Sequence, residues 1–249
     1  MIAFALSLSL AASPWMNLTE PERRASVAKM SKEELEQAIR ETPSDVLLKM
    51  SEKAITALGP YQYVMVKQER IRGALQGEQT IRTTIQDSPS AIRLEYLKGP
   101  AAGRKIIFNA SVKKNEFRVR EAGMLSIIPI WLPIDSELVK GDSNHTVPEA
   151  GLGSLVRRLQ LDQGRAGDRL QVKHEGWTDG GHFCSVFSLP DGGKGFDHAS
   201  TRICMDPKAG LPMKVEGFDA KGALIERYAF SDVKSITVEA NTFDPEKGL

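Results

Sequence analysis

The chain has 249 residues, of which 33 are lysine or arginine and 32 are aspartate or glutamate, so its formal net charge is +1. A hydrophobic content of 41% and a charged content of 26% are typical of soluble globular proteins and exclude a disordered or membrane-embedded chain. The balanced charge also argues against nucleic acid as a partner, because nucleic-acid-binding proteins need clustered basic side chains.

Residues 1–13 are predicted to be a secretory signal peptide or an N-terminal apolar segment. No charged side chain occurs between Met1 and Thr19, and the apolar run from Ile2 ends in small residues at 11–13. The run is too short to span a membrane comfortably, but no basic residue precedes it, so a cleaved peptide and an uncleaved anchor both stay open. We therefore expect export to the periplasm or the cell envelope.

Helical patterns precede the main domain. Residues 14–41 are predicted to form a helical N-terminal arm, whose second half is a capped segment with a thin apolar face. A stronger helix over 44–58 has apolar residues at helical spacing and stops at a Gly-Pro pair. We expect residues 42–245 to form a single domain, followed by a tail at 246–249.

From Tyr61 onward the apolar period changes from 3.6 to 2, which predicts antiparallel strands separated by turns. The predicted strands, about ten by this rule, are 63–71, 78–86, 91–98, 104–109, 116–121, 169–178, 182–189, 198–206, 211–217 and 224–233. A second amphipathic helix over 151–163 interrupts them and has to cover the apolar face of the sheet or cap its open end. The sequence therefore predicts an α+β, mainly antiparallel fold, in which two amphipathic helices cover a curved half-barrel sheet.

A Pro-rich apolar segment, Met124–Leu138, separates the two groups of strands. Pro129 and Pro133 exclude a regular helix or a central strand, so we predict an irregular hydrophobic crossing. This crossing either closes the apolar side of the sheet as a lid or fills it as a plug. The residues that would do so are Ile127, Ile128, Ile130, Trp131 and Leu132.

The polar residues form no recognisable catalytic motif. The four histidines are too scattered for a helical metal pair, and the Gly-Leu-Gly-Ser run at 151–154 lacks the spacing of a nucleophile elbow. We therefore predict no enzyme activity, no metal and no cofactor. The alternative is an enzyme that uses Asp142, His145 and Glu149 in the loop before the second helix.

A polar block, Lys67-Gln68-Glu69-Arg70, interrupts the first predicted strand. We interpret it as a solvent-exposed face with weak cross-strand ion pairs. The alternative is that Glu69 or Arg70 meets a partner such as Arg104 at the rim of the sheet.

The chain has two cysteines, Cys184 and Cys204, on neighbouring predicted strands. If these strands pair as a hairpin, the two sulfurs lie almost opposite one another, and an oxidising compartment would let them form a disulfide. The alternative is two buried, reduced thiols.

The residues predicted to face inward on the sheet have more apolar surface than two short helices can readily cover. Either the helices pack directly on this face, or a gap remains in which a ligand gains about 25 cal/mol per Å² of buried apolar surface. The predicted ligand-binding residues are Tyr63, Met65, Ile81, Ile92, Leu94, Tyr96, Phe117, Ile127, Ile130, Trp131, Leu155 and Tyr228.

Several segments resemble a secreted bacterial family of unknown function. They are VMVKQERIRG (Val64–Gly73), GRKIIF (Gly103–Phe108), HTVPEAGLGSLVRRL (His145–Leu159), DPKAGLPMKVEGFDAKGALIERYAF (Asp206–Phe230) and FDP (Phe243–Pro245). That family is similar to the LolA/LolB lipoprotein-carrier superfamily, whose fold is an antiparallel half-barrel closed by helices over an apolar cavity. The resemblance implies a carrier-like function, although a shared fold does not fix function.

The sequence thus predicts an exported, non-enzymatic carrier or binding protein that shelters an acyl chain or a lipoprotein lipid between sheet and helices. The alternative is a cell-envelope interaction or sensor module, in which the core is filled and the polar strand surface docks a partner protein. No prediction of the ligand's identity or of the oligomeric state follows.

Overall fold

The computed structural model describes residues 18–123, 128–137, 141 and 143–249. The predicted signal peptide lies outside these residues, as do Ile127 of the predicted ligand site and Asp142 of the enzyme alternative. Within the described ranges, no helix combines the length and the apolar character that a membrane crossing requires.

The described part of the chain forms four helices and a twelve-stranded sheet. The helices are α1 (Glu20–Val27), α2 (Lys32–Glu41), α3 (Ser44–Thr56) and α4 (Leu152–Ala166). The strands are β1 (Tyr61–Ile71), β2 (Ala74–Leu75), β3 (Gln79–Gln86), β4 (Ala91–Lys98), β5 (Lys105–Asn109), β6 (Glu116–Arg120), β7 (Ile130–Pro133), β8 (Gln171–Trp177), β9 (Phe183–Ser188), β10 (Ser200–Asp206), β11 (Leu211–Phe218) and β12 (Leu224–Ser235).

The strands form one open, curved antiparallel sheet in the order β7-β6-β5-β4-β3-β1-β12-β11-β10-β9-β8, with β2 paired to β1. The chain starts in the middle of the sheet, runs outward to β7, crosses through α4 and returns from the opposite edge. Its last strand, β12, therefore lies beside its first. The predicted fold class is confirmed by this arrangement.

The inner face of the sheet packs against α3 and α4. Alternating residues of β1 point to this face, and Tyr61 and Tyr63 have no exposed surface. The apolar stripes of the two helices, which include Ala54, Ile55, Leu152 and Val156, complete the same core. The site described below lies between this face, α4 and the loop before α4.

The Pro-rich segment provides an edge strand in addition to irregular structure. Its residues Ile130–Pro133 form β7, which pairs with β6 at the end of the sheet, where proline is tolerated. Trp131 lies opposite Arg118, and the Lys113 ammonium lies 4.3 Å from the centre of its ring. Ile130 is 46% exposed.

The N-terminal helices α1 and α2 pack against the β9 end of the sheet. Val27, Leu35 and Ile39 form a second apolar cluster with Phe183. The buried Arg23 donates hydrogen bonds to the carbonyl oxygens of residues 207 and 209, in the turn between β10 and β11. These contacts attach the described part of the N-terminal arm to the sheet.

Cys184 and Cys204 are direct partners in the register of β9 and β10. Their Cα atoms lie 4.0 Å apart, and the structure joins the two sulfurs in a disulfide. Both residues are fully buried. A covalent link thus joins two neighbouring strands near one edge of the sheet.

Candidate functional site

A cavity of about 90 Å³ lies between the inner face of the sheet and the covering element formed by residues 143–151 and α4. Its apolar lining comes from both sides: Met65, Ile81, Leu94, Tyr96, Ile106 and Phe230 from the sheet, and Val147, Ala150 and Leu155 from the covering element. Polar side chains line the rest, namely Lys67, Glu69, Arg104, Ser143, His145, Thr146, Glu149, Arg158 and Tyr228.

Two tyrosines of β1 fix the start of α4 over the sheet. The Tyr63 hydroxyl donates a hydrogen bond to the Ala150 carbonyl, and the Leu152 amide donates one to the Tyr61 hydroxyl at 3.1 Å. Burial raises the pKa of both hydroxyls, so they keep their protons. Gly151 permits this close approach, because a Cβ atom there would lie 3.3 Å from the Tyr61 oxygen.

The inner face changes from apolar to charged along β1. Met65 is followed, at the same parity, by Lys67 and Glu69, and these residues are 6% and 2% exposed. The register of β12 places Tyr228 opposite Lys67 and Glu226 opposite Glu69. The cavity therefore has an apolar end and a charged end. Five residues at this end line the cavity, and Glu226 and His198 join them through hydrogen bonds. We call these seven residues the charged cluster: Lys67, Glu69, His145, Arg158, His198, Glu226 and Tyr228.

Glu226 is one of the two buried carboxylates of this cluster. His145 Nε2 lies 2.8 Å from its Oε2, and the Tyr228 hydroxyl and Asn144 Nδ2 lie 3.2 and 3.3 Å from the same atom. His198 Nε2 lies 3.3 Å from Oε1. Burial alone would raise the pKa of Glu226, but hydrogen bonds from His145 and His198 hold it well below its usual range.

Glu69 is equally enclosed. Its carboxylate accepts hydrogen bonds from the Tyr228 hydroxyl, from Lys67 Nζ at 3.0 Å and from Ser143 Oγ at 3.2 Å. The Asn144 amide lies 3.3 Å away. Burial and the two neighbouring carboxylates raise the pKa of Tyr228, which keeps its proton as a donor. The cluster therefore joins the covering element to β1 and β12.

His145 connects the carboxylates to α4. With a hydrogen on Nε2, its ring donates to Glu226, and its Nδ1 accepts from Arg158 Nη1 at 2.6 Å. His198 reaches Glu226 from the other side because β11 has a glycine there: a Cβ atom at Gly217 would lie 2.3 Å from the His198 ring.

Glu69, His145 and Glu226 could in principle hold a metal ion, since their ligand atoms all lie within 4.8 Å of one another. However, Lys67 and Arg158 already supply positive charge to the two carboxylates. An ion would have to displace these cations, so the donor set fits an ion-pair network better than a metal centre.

The structure brings six of the predicted ligand-binding residues to the cavity: Met65, Ile81, Leu94, Tyr96, Leu155 and Tyr228. It places five outside the lining of the cavity: Tyr63, Ile92, Phe117, Ile130 and Trp131. The first three are buried core residues, and the last two belong to the edge strand β7. Among its described residues, the Pro-rich segment therefore forms no lid over this cavity.

The charged cluster is not predicted from the sequence. The expectation that Lys67 and Glu69 are solvent-exposed is wrong, because both are buried and face the cavity. Gln68 and Arg70 are the members of the polar block that point away, and Arg70 donates to the Leu224 carbonyl. Strand alternation could have indicated the inward orientation of Lys67 and Glu69, since they lie two and four residues after the inward-facing Met65. Of the residues in the enzyme alternative, His145 bonds Glu226, and Glu149 bonds Thr146.

A family described as "Protein of unknown function (DUF1571)" matches residues 59–248. The chain belongs to the DUF1571 family. Its predicted membership of a family of unknown function is thus confirmed. No protein with a curated description matches this DUF1571 chain.

Solved structures resemble the DUF1571 chain at low sequence identity. An uncharacterised conserved protein from Thermus thermophilus is 14% identical with a TM-score of 0.46, and the match covers 79% of this chain and 90% of that one. Lipoprotein LppX from Mycobacterium tuberculosis is 10% identical with a TM-score of 0.45, over 79% and 99%. A LolA superfamily protein from Nitrosomonas europaea is 9% identical with a TM-score of 0.35, over 79% and 95%.

Proposed function

We propose that the DUF1571 chain is an exported, non-enzymatic binding protein that holds the hydrophobic part of a ligand, such as an acyl chain, between its sheet and α4. The observation that carries this proposal is the cavity itself, whose apolar end is built from Met65, Ile81, Leu94 and Leu155 on two opposing layers. Each CH₂ group of a chain buried there would contribute about 0.8 kcal/mol.

The size of the cavity sets a condition on this function. At about 90 Å³ it is smaller than a cavity of about 150 Å³ that accepts benzene. A whole acyl chain therefore requires the covering element to move away from the sheet. That element is attached by hydrogen bonds at its start and by the charged cluster, whereas Leu161, farther along α4, is 68% exposed.

The disulfide supports export. Disulfides persist in oxidising compartments such as the periplasm, and the apolar segment at residues 1–13 is consistent with export. The site's geometry supports a non-enzymatic role. Among the described residues, the Ser143 hydroxyl bonds Glu69, so it does not pair with His145 as a nucleophile with its base would.

A fluorescent fatty-acid probe, titrated into delipidated protein, tests the proposal. We expect saturable binding by the wild type and its loss in Leu155→Trp, because the larger side chain fills the cavity. Leu161→Trp on the exposed side of the same helix is the matched control and should bind as the wild type does. Ile81→Phe fills the cavity from the sheet side in case Leu155→Trp misfolds. Absence of saturable wild-type binding would overturn the proposal.

The small volume of the cavity favours one other candidate, an envelope interaction module with a filled core. In that case the probe would not bind, and the wild type and Leu155→Trp would recover the same single protein from an envelope extract. Loss of that partner in Leu155→Trp would argue against this second candidate.

A further inference from the structure

At the charged end of the cavity, side chains with hydrogen-bond donors are partly exposed to solvent, whereas the carboxylates that accept hydrogen bonds are buried. The carboxylates of Glu69 and Glu226 are each 2% exposed, whereas the side chains of His145 and Arg158 are 18% and 26% exposed. A ligand that enters this end therefore meets nitrogen donors before it meets carboxylate oxygens.

The buried acceptors have little capacity left. Glu69 accepts hydrogen bonds from Lys67, Tyr228, Ser143 and the Asn144 backbone amide, and Glu226 is bonded by three other donors, on Asn144, His145 and His198. A carboxylate offers about four acceptor sites. A cationic head group could reach these oxygens only by displacing donors already in place.

Arg158 has donors to spare. Its Nη1 contacts both ring nitrogens of His145, and its Nη2 lies 3.6 Å from Glu226, too far for a good hydrogen bond. A guanidinium has five N–H groups, so several of them have no acceptor among the described residues. Arg158 lines the cavity and lies one turn of α4 after Leu155, so it stands where the apolar lining ends.

The charges around this end of the cavity balance one another. Lys67, Arg104 and Arg158 are opposed by Glu69 and Glu149 in the lining and by Glu226, which lies 3.6 Å from Arg158. Glu149 is the one exposed carboxylate of this group, and it is held by the Thr146 amide and hydroxyl at 2.7 Å each. It is the competitor that an incoming anion would face.

We propose that the ligand is an amphiphile with an anionic head group, a carboxylate or a phosphate, which binds Arg158 while the chain occupies the apolar end. This inference rests on the proposed function, since it assigns the head group of the same ligand. Arg158 is then a specificity-determining residue. It selects the head group through charge-assisted hydrogen bonds, which are stronger than neutral ones.

Amphiphiles with one chain length and different head groups test this assignment. Tetradecanoate, tetradecyl phosphate and tetradecanol are titrated into wild-type protein and into Arg158→Gln. We expect the wild type to prefer the anions to the alcohol by about tenfold or more, the effect of one charge-assisted hydrogen bond. Arg158→Gln should lose this preference and keep its affinity for the alcohol, which also shows that the variant is folded. The two anions distinguish carboxylate from phosphate as the natural head group.

Arg157→Gln is the matched control, because Arg157 is exposed on the same helix and bonds only Ser154 among the described residues. It should keep the wild-type preference. Equal affinity of the wild type for all three amphiphiles, or an unchanged preference in Arg158→Gln, would overturn the head-group assignment alone. Failure of every amphiphile to bind the wild type would overturn the proposed function with it.

Discussion

At the scale of single residues, the two buried carboxylates stand out. Glu69 and Glu226 are 2% exposed, and burying a carboxylate costs several kcal/mol unless its charge is paired and its oxygens are hydrogen-bonded. Both conditions are met here by neighbouring side chains.

The stability of the protein at acid pH should depend on the ionisation of the Glu226 carboxylate. Its pKa is held well below the usual range in the folded protein, so its ionised form stabilises the fold above the unfolded pKa of about 4.3. This contribution is lost as the pH falls from about 5 toward the folded pKa, because the unfolded chain takes up the proton. In urea unfolding across this range, the free energy of unfolding of Glu226→Gln should fall less steeply than that of the wild type. The difference is at most about 1.4 kcal/mol per pH unit, the limit for one proton.

Glu33→Gln, at an exposed position on α2, is the control and should follow the wild-type slope. If the free energy of unfolding falls equally steeply with decreasing pH in the wild type and in Glu226→Gln, Glu226 does not have a strongly lowered pKa in the folded protein.

The apolar part of the site could be predicted from the sequence, but the sequence does not show which charged residues come together. Period-2 alternation places Met65 and Ile81 on the inner face without any knowledge of the fold. The same parity applies to Lys67 and Glu69, yet a charged side chain is usually exposed, and this general preference outweighed the parity. Lys67 and Glu69 can be buried only because other side chains compensate their charges. Those side chains come from distant parts of the chain.

At the scale of elements, α4 is attached to the sheet in two places. Hydroxyl groups of Tyr61 and Tyr63 hold its first turn, and Arg158 in its second turn reaches the charged cluster. The helix was predicted at 151–163 and runs over Leu152–Ala166. Its covering role followed from its apolar stripe, whereas its attachment depends on tyrosine hydroxyls that no periodicity reveals.

Tyr63→Phe should loosen this attachment. The variant removes the donor to the Ala150 carbonyl, and an acceptor left without its partner in the interior costs about 1–3 kcal/mol. We expect the free energy of unfolding in urea to fall by this amount. Tyr96→Phe is the matched control, because the Tyr96 hydroxyl has no hydrogen bond among the described residues, and it should change stability by less than about 0.5 kcal/mol. Equal effects of the two variants would contradict the anchoring role.

At the scale of the whole molecule, strand order creates the site. The return of the chain places β12 beside β1, so that Tyr228 bonds Glu69 across 159 positions of sequence. Antiparallel strands could be recognised one by one, but neither their order nor the pairing of β1 with β12 follows from local pattern. The edge strand β7 was missed for a related reason, since its prolines are tolerated only at the end of a sheet.

The most direct test of the account is a crystal structure with a brominated fatty acid, in which the anomalous signal of bromine locates the chain. The account predicts a bromine site between Met65, Leu94 and Leu155, with the carboxylate near Arg158 and α4 displaced outward from the sheet. A bromine site outside this space, with the cavity unchanged at about 90 Å³, would contradict it.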